Sequence, residues 1–338
     1  MRFFVFRKNE KVKNGSENIH TKGCIDNTER SKDMNTSKRI KYADELNTNG
    51  IDTLSAYVHG KAERIGNETQ RNIKSCSYRE DKDRTYIEVN ANKQKNGNEK
   101  LITKYSEFKE KLKEILKELS KKPDDLDMIR ADFCFNSKNE ESYHEYKKLH
   151  RLLISCLAKA YKFKNCYQSK DLWTHESLSI AIKKSDAEIE NYNKKKESNG
   201  KDESCNRLEI RSKLMHGSTL EYQFLQKWFE RLDKARGMFK VVQEESNKNL
   251  EKLYKEDLKK KKRDRDYLSL NAFLMQYREC IYCRRQMIDL LSRFEEIGDP
   301  EKKADKFKEK HKIEYFSQRD IDFLIEVLKK KLIEYFES

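Results

Sequence analysis

The chain has 338 residues and a formal net charge of +15, with 39% charged against 36% hydrophobic residues. That balance excludes a large apolar core and points to solvated helices and a polyanionic partner, either nucleic acid or an anionic membrane surface. No apolar run approaches the ~20 residues needed to span a bilayer, and the apolar start at Phe3–Phe6 is too short for a signal-peptide core, so a cytoplasmic protein with reduced cysteines is expected.

Two prolines and ten glycines suit long helices with few tight turns. Residues 1–50 are rich in Asn, Lys, Thr and Ser, lack apolar periodicity, and read as a disordered polar arm. Order is expected from a strand at 51–58, followed by a second strand at 85–90. A helix capped by Ser106 carries the stripe Phe108, Leu112, Ile115, Leu116 and Leu119, and Pro123 ends it. A strand at 128–135 and a helix at 140–162 follow. Three more strands lie at 178–182, 188–193 and 207–215, the last two joined by a loop at 198–204. The order β-β-α-β-α-β-β-β predicts an α+β domain over 51–217 on a mixed or antiparallel sheet. Ser218 and Glu221 have the spacing of a capping box and open an all-helical domain over 218–338. Its first stripe is Phe224, Leu225, Trp228, Phe229 and Leu232. The run Lys259, Lys260, Lys261, Lys262, Arg263 is expected to interrupt the helices. The last helix starts near Ser317, with Asp320 in its first turn and Ile321, Leu324, Ile325, Leu328, Leu332 and Phe336 as its stripe.

Successive side chains of a strand point to opposite faces. Ile129, Ala131, Phe133 and Phe135 therefore share one face, and Arg130, Asp132 and Cys134 the other. Leu208 and Ile210 likewise oppose Arg207, Glu209 and Arg211. If these strands are neighbours, one sheet face packs on a core. The other presents two carboxylates among guanidinium groups, the donors for a hard cation and for phosphate. A lone acid on such a strand reads first as the partner of a base on a solvated face, so adjacency decides. Tyr192 has Ile189 as its one apolar neighbour, with Glu190, Asn191, Asn193 and three lysines around it. It reads as a packed aromatic or as a phenol that attacks phosphorus once cations or a metal lower its ordinary pKa of about 10.

Other signals are negative or generic. Cys280 and Cys283 lack a second pair and a nearby His for a zinc tetrad, and read as buried thiols. No phosphate-cradling Gly-x-x-x-x-Gly-Lys loop exists, so an ATP-driven mechanism has no support. The 259–263 run, together with Arg284 and Arg285, is expected to contact DNA phosphates, and the helices after Pro300 to form a helix-turn-helix-like unit.

In order, Ile51-Asp-Thr-Leu, Ile129-Arg-Ala-Asp132, Tyr192-Asn-Lys-x-x-Glu197 and Arg207-Leu-Glu-Ile-Arg211 resemble the motifs of rolling-circle replication initiators. These are the gene II-type nickases of filamentous phages, the trans-acting Rep initiators of Gram-positive plasmids, and their relaxase relatives. The resemblance covers residues 51–216. It implies an endonuclease that binds duplex and single-stranded origin DNA and nicks one strand through a tyrosine. The 5′ phosphate stays on that tyrosine and the 3′ hydroxyl is free for a polymerase. A host helicase and polymerase would be partners, no membrane is implied, and a homodimer is an allowed assembly. By this likeness Tyr192 matches the tyrosine of the Tyr-Asn/Asp-Lys motif, with Tyr167 and Tyr161 as alternative nucleophiles. Lys194 and Arg207 would lie near the scissile phosphate, Arg130 and Arg211 would join the DNA contacts, and Asp132 and Glu209 would hold Mg²⁺ or Mn²⁺. No His-x-His triplet is present, which sets the chain apart from the His-dependent initiators. A conjugative relaxase with the same chemistry and a non-catalytic origin-binding or regulatory protein are the other readings.

Overall fold

The computed structural model describes residues 36–62, 72–93, 100–161, 178–182, 187–214, 217–261, 269–294 and 298–338. Its strands are β1 (Thr48–His59), β2 (Ile73–Arg79), β3 (Arg84–Val89), β4 (Leu126–Ser137), β5 (Leu178–Ile182), β6 (Ala187–Tyr192) and β7 (Asn206–Lys213). They form a seven-stranded sheet in the order β2-β3-β1-β4-β7-β6-β5. Each of these strands pairs with its neighbours antiparallel. The architecture is α+β, as the element order predicts.

Alternation divides the sheet into two faces. Leu54, Ala56 and Val58 of β1, Ala131, Phe133 and Phe135 of β4, and Leu208 and Ile210 of β7 turn into one apolar core. Helices α1 (Thr36–Glu45), α2 (Tyr105–Glu118), α3 (Ser142–Ala160), α5 (Trp228–Arg236) and α10 (Gln318–Phe336) contribute to that core. Its centre is aromatic: the Phe133 ring lies 5.1 Å from Tyr335, 5.6 Å from Phe224 and 6.1 Å from Phe336, centroid to centroid. Burying side chains of this size is worth ~1.5–3 kcal/mol each. Gly50 is required where β1 starts, because a Cβ there would collide with the Ile102 carbonyl oxygen. A satellite core joins α6 (Phe239–Lys261), α7 (Leu270–Gln276), α8 (Arg284–Leu291) and α9 (Pro300–His311) around Leu250, Tyr254, Phe273, Met287 and Phe307. The short helix α4 (Lys194–Glu197) completes the set among the described residues.

Several elements depart from expectation. The polar arm does not extend to residue 50: α1 forms from Thr36, and Tyr42 and Leu46, one helical turn apart, are buried in the main core. Residues 1–35 lie outside the described residues. β2 was not expected at all. It is an edge strand in which Ile73 and Cys76 are the residues that pack on the core, leaving too few apolar positions to register as a strand. α6 runs to Lys261, inside the run expected to interrupt the helices, and Lys262 and Arg263 lie outside the described residues. Tyr222 N donates to Thr219 Oγ1 at 3.1 Å, so Thr219 rather than Ser218 caps the helix that follows, which runs through a π-helical stretch at Tyr222–Lys227 into α5. α10 starts after Ser317 with Asp320 in its first turn, as expected, and these two residues form a capping box. Its buried residues seat it against the sheet as part of the main core. No helix among the described residues is long and apolar enough to cross a membrane.

Candidate functional site on the polar sheet face

β4 and β7 are neighbours, the condition on which the sequence reading turned. Their register sets Asp132 opposite Arg211, Cys134 opposite Glu209 and Asn136 opposite Arg207. β6 lies on the far side of β7, with Tyr192 opposite Arg207 and Glu190 opposite Glu209. β1 lies on the other side of β4. There Ile51 pairs with Phe133 and Thr53 with Asp132, so Asp52 is squeezed out of register at a bulge. Bulges re-aim side chains, and here the Asp52 carboxylate meets Arg207 on the polar face at 3.1 Å.

The face is a network of paired charges. Arg130 grips Asp132 with two bonds, Nε to Oδ1 at 2.9 Å and Nη2 to Oδ2 at 2.6 Å. Arg211 donates from Nε to Glu209 Oε1 at 2.6 Å and from its other nitrogens to Glu188 and Glu190. Arg207 has no exposed surface, and its three donor nitrogens go to Asn136, Asp52 and Asp202 at 2.9, 3.1 and 2.7 Å. A buried guanidinium is tolerated only when its donors are satisfied in this way. Arg207 therefore sits inside the sheet's ion-pair network, not on an open surface where a phosphate contact was expected. Arg130 keeps a partly exposed side chain.

Tyr192 Oη donates to Glu209 Oε2 at 2.8 Å, and the Cys134 thiol approaches the same oxygen at 3.5 Å. Tyr192 is 8% exposed and Glu209 2%. The turn after β6 brings Lys194 back over the tyrosine: Asn193 Oδ1 accepts from Lys196 N, and the Lys194 ammonium stands 5.9 Å from the Tyr192 ring centroid. Burial, then the charge on Glu209, pushes the Tyr192 phenol well above its ordinary pKa, with Arg207 opposing. Burial also raises Asp132 to about 6, opposed by its bond to Arg130 and reinforced by Glu209. Burial would raise Asp52 too, but Arg207, Lys74 and Lys194 together hold it below the ordinary carboxylate range.

The donors that converge for a cation are Asp52, Cys134 and Glu209, whose ligand atoms lie within 4.8 Å of one another. Asp132, expected beside Glu209 in the ligand set, falls outside this group, and Arg130 bonds both of its oxygens. The two carboxylates are hard donors of the kind Mg²⁺ and Mn²⁺ take, whereas Cys134 is a soft donor whose thiol burial pushes well above its ordinary pKa. Cys134 was legible on the polar face two residues from Asp132. Asp52 was not assigned a role, although a signal existed: the buried apolar positions Ile51, Leu54, Ala56 and Val58 break the two-residue period between 51 and 54, which is where the bulge falls.

The remaining expected residues are dispersed. Tyr161 packs against the apolar core, with the Lys234 ammonium 5.2 Å from its ring centroid, and so lies on the helical side of the sheet. Tyr167 lies outside the described residues. Lys259 is exposed on α6, whose backbone also includes Lys260 and Lys261, while Lys262 and Arg263 lie outside the described residues. Arg284 forms a two-bond pair with Asp305 at 2.8 and 2.9 Å. Arg285 is 76% exposed and pairs with Asp289 within its own helix. Comparison with protein-family models, with curated proteins and with solved structures gives no match to this chain.

Proposed function

We propose that this chain is a replication initiator that nicks one strand of origin DNA through a tyrosine, starting rolling-circle replication. The observation that carries the reading is the bond from Tyr192 Oη to Glu209 Oε2 at 2.8 Å. A nucleophile in hydrogen-bond reach of a carboxylate that takes its proton is the arrangement covalent catalysis needs. In the step proposed, the phenol proton passes to Glu209 and the Tyr192 oxygen bonds to phosphorus. The P–O3′ bond breaks, and the 3′ oxygen leaves as a hydroxyl after taking a proton from solvent. The product is a tyrosyl 5′ phosphodiester, which keeps the energy of the broken bond for rejoining. Lys194, beside the tyrosine ring and paired with Glu197, and Arg130, partly exposed and paired with Asp132, are the cations that would meet the phosphate. Asp52 and Glu209 are the carboxylates that would hold Mg²⁺ or Mn²⁺. Such an ion, when bound, offsets negative charge on the phosphate and on the phenolate.

Incubating supercoiled DNA that bears the cognate origin with the protein and Mg²⁺ or Mn²⁺ tests the reading. Nicked circles carrying covalently attached protein are expected. A conjugative relaxase would give the same product, and the origin that serves as substrate separates the two. A second reading is favoured by a specific observation: Arg130, Arg207 and Arg211 are each already paired with carboxylates. A face that satisfies its own charges fits a non-catalytic origin-binding protein, for which binding without any nick is the expected outcome.

A further inference from the structure

The polar face continues past the carboxylates onto β1 and β3. Tyr57 and Tyr86 are register partners on these strands, with ring centroids 5.8 Å apart at an interplanar angle of 67°. Ala56 and Val58 of β1 and Ile87 of β3 turn into the core. Alternation therefore sets Tyr57, Arg84 and Tyr86 on the face that carries Arg130 and Asp132. The Arg84 guanidinium stands 3.7 Å from the Tyr57 ring centroid, and all three side chains are partly exposed. Arg84 differs from the arginines of the candidate site. Among the described residues no carboxylate pairs with it, and its Nε has no hydrogen-bond partner.

Two aromatic rings and a planar cation that no carboxylate among the described residues neutralises, on an antiparallel sheet, are what unpaired bases need. Rings stack on base faces without regard to sequence, and a guanidinium takes the adjoining phosphate. Duplex DNA hides those faces. The net charge of +15 adds general attraction for a polyanion. We infer that Tyr57, Tyr86 and Arg84 form a stacking platform for single-stranded DNA, which passes Arg130 on its way to the Tyr192–Glu209 pair; its use as a substrate track rests on the strand-transfer reading. By register Glu209 is level with Cys134 and Gly50. That is two strands across and seven residues along from Tyr57, or roughly 25 Å at ~4.8 Å per strand and ~3.3 Å per residue. Several nucleotides span that length.

The test is the affinity of the full chain for a labelled oligothymidylate, read by fluorescence anisotropy without divalent cation so that no strand is cut. Tyr57→Leu and Tyr86→Leu are each expected to weaken binding about five- to one-hundredfold, the range of one lost base stack. Tyr57→Phe and Tyr86→Phe keep the ring and are expected to bind as the parent does. Arg84→Gln is expected to reduce the steepness of the salt dependence by about 0.7, one phosphate contact on a single strand. On an abasic oligonucleotide the leucine variants and the parent are expected to bind alike. Parent-like affinity of both leucine variants for oligothymidylate overturns the platform, as does equal weakening on the abasic strand. If a leucine variant does not fold, the Arg84→Gln slope decides, and an unchanged slope overturns the inference. Weakening in the leucine variants, with no covalent product from the parent on origin DNA, keeps the platform and removes the strand-transfer reading alone.

Discussion

Glu209 accepts bonds from three different side chains, Arg211 on Oε1 and both Tyr192 and Cys134 on Oε2. One carboxylate thus positions the candidate nucleophile and completes the convergent donor group. Glu209→Gln keeps the shape but removes the charge that accepts a proton. It is expected to lower covalent product by about 10²–10⁴-fold, the usual contribution of a general base, measured as adduct per unit time on origin DNA. Asp132 makes a separate statement through pH. Its folded pKa of about 6 lies above the ordinary value of 3.8. The protonated acid is therefore favoured by folding, and its stabilisation is fully present below pH 3.8 and is lost as pH climbs through about 6. The loss is on the order of 3 kcal/mol. Asp132→Asn cannot ionise, so between pH 4 and 7 its urea midpoint is expected to fall less than that of the parent. Parallel pH profiles would show that Asp132 does not titrate in that window. At this scale the alternation of β4 and β7 told the sequence reader which residues share a face. It could not tell that Arg207 is sealed beneath Asp52 and Asp202, because Asp202 comes from a loop whose path has no periodicity to read.

Elements lock the site through Arg207. The side chain leaves β7, reaches Asn136 on β4 and Asp52 at the β1 bulge, and closes on Asp202 from the turn between α4 and β7. Arg207→Ala strands two buried carboxylates, and removing one partner of such a network costs about 3–5 kcal/mol. Urea denaturation is expected to show that loss, and a loss under about 1 kcal/mol, the worth of an exposed ion pair, would mean that water reaches the site. Six of the seven strands had a readable alternation or apolar run. β2 escaped because an edge strand needs few apolar residues, and α1 because Tyr42, with Leu46 just past the helix end, anchors an otherwise polar stretch. A helix held by tertiary contacts carries little propensity signal of its own.

Across the whole molecule, the described residues belong to one compact unit. Phe224 and Trp228 and the buried face of α10 complete the core beneath β1, β4 and β7. Sequence composition changes at Gly217, but apolar stripes record only that a helix has a buried face, not which surface it covers. A chain ending at Gly217 would expose Phe133, Leu54 and their neighbours, and it is expected to lack the cooperative thermal transition of the full chain. A sharp transition in that shortened chain would show that the sheet stabilises itself. The proposed strand transfer requires that Tyr192 attack DNA. Peptide mapping by mass spectrometry of the protein–DNA adduct formed on origin DNA with Mn²⁺ tests it directly. Strand transfer through Tyr192 places the nucleotide remnant on the peptide containing Tyr192, with no adduct from Tyr192→Phe and unchanged origin affinity. A remnant on Tyr167 or another tyrosine, or an adduct that persists in Tyr192→Phe, would contradict it.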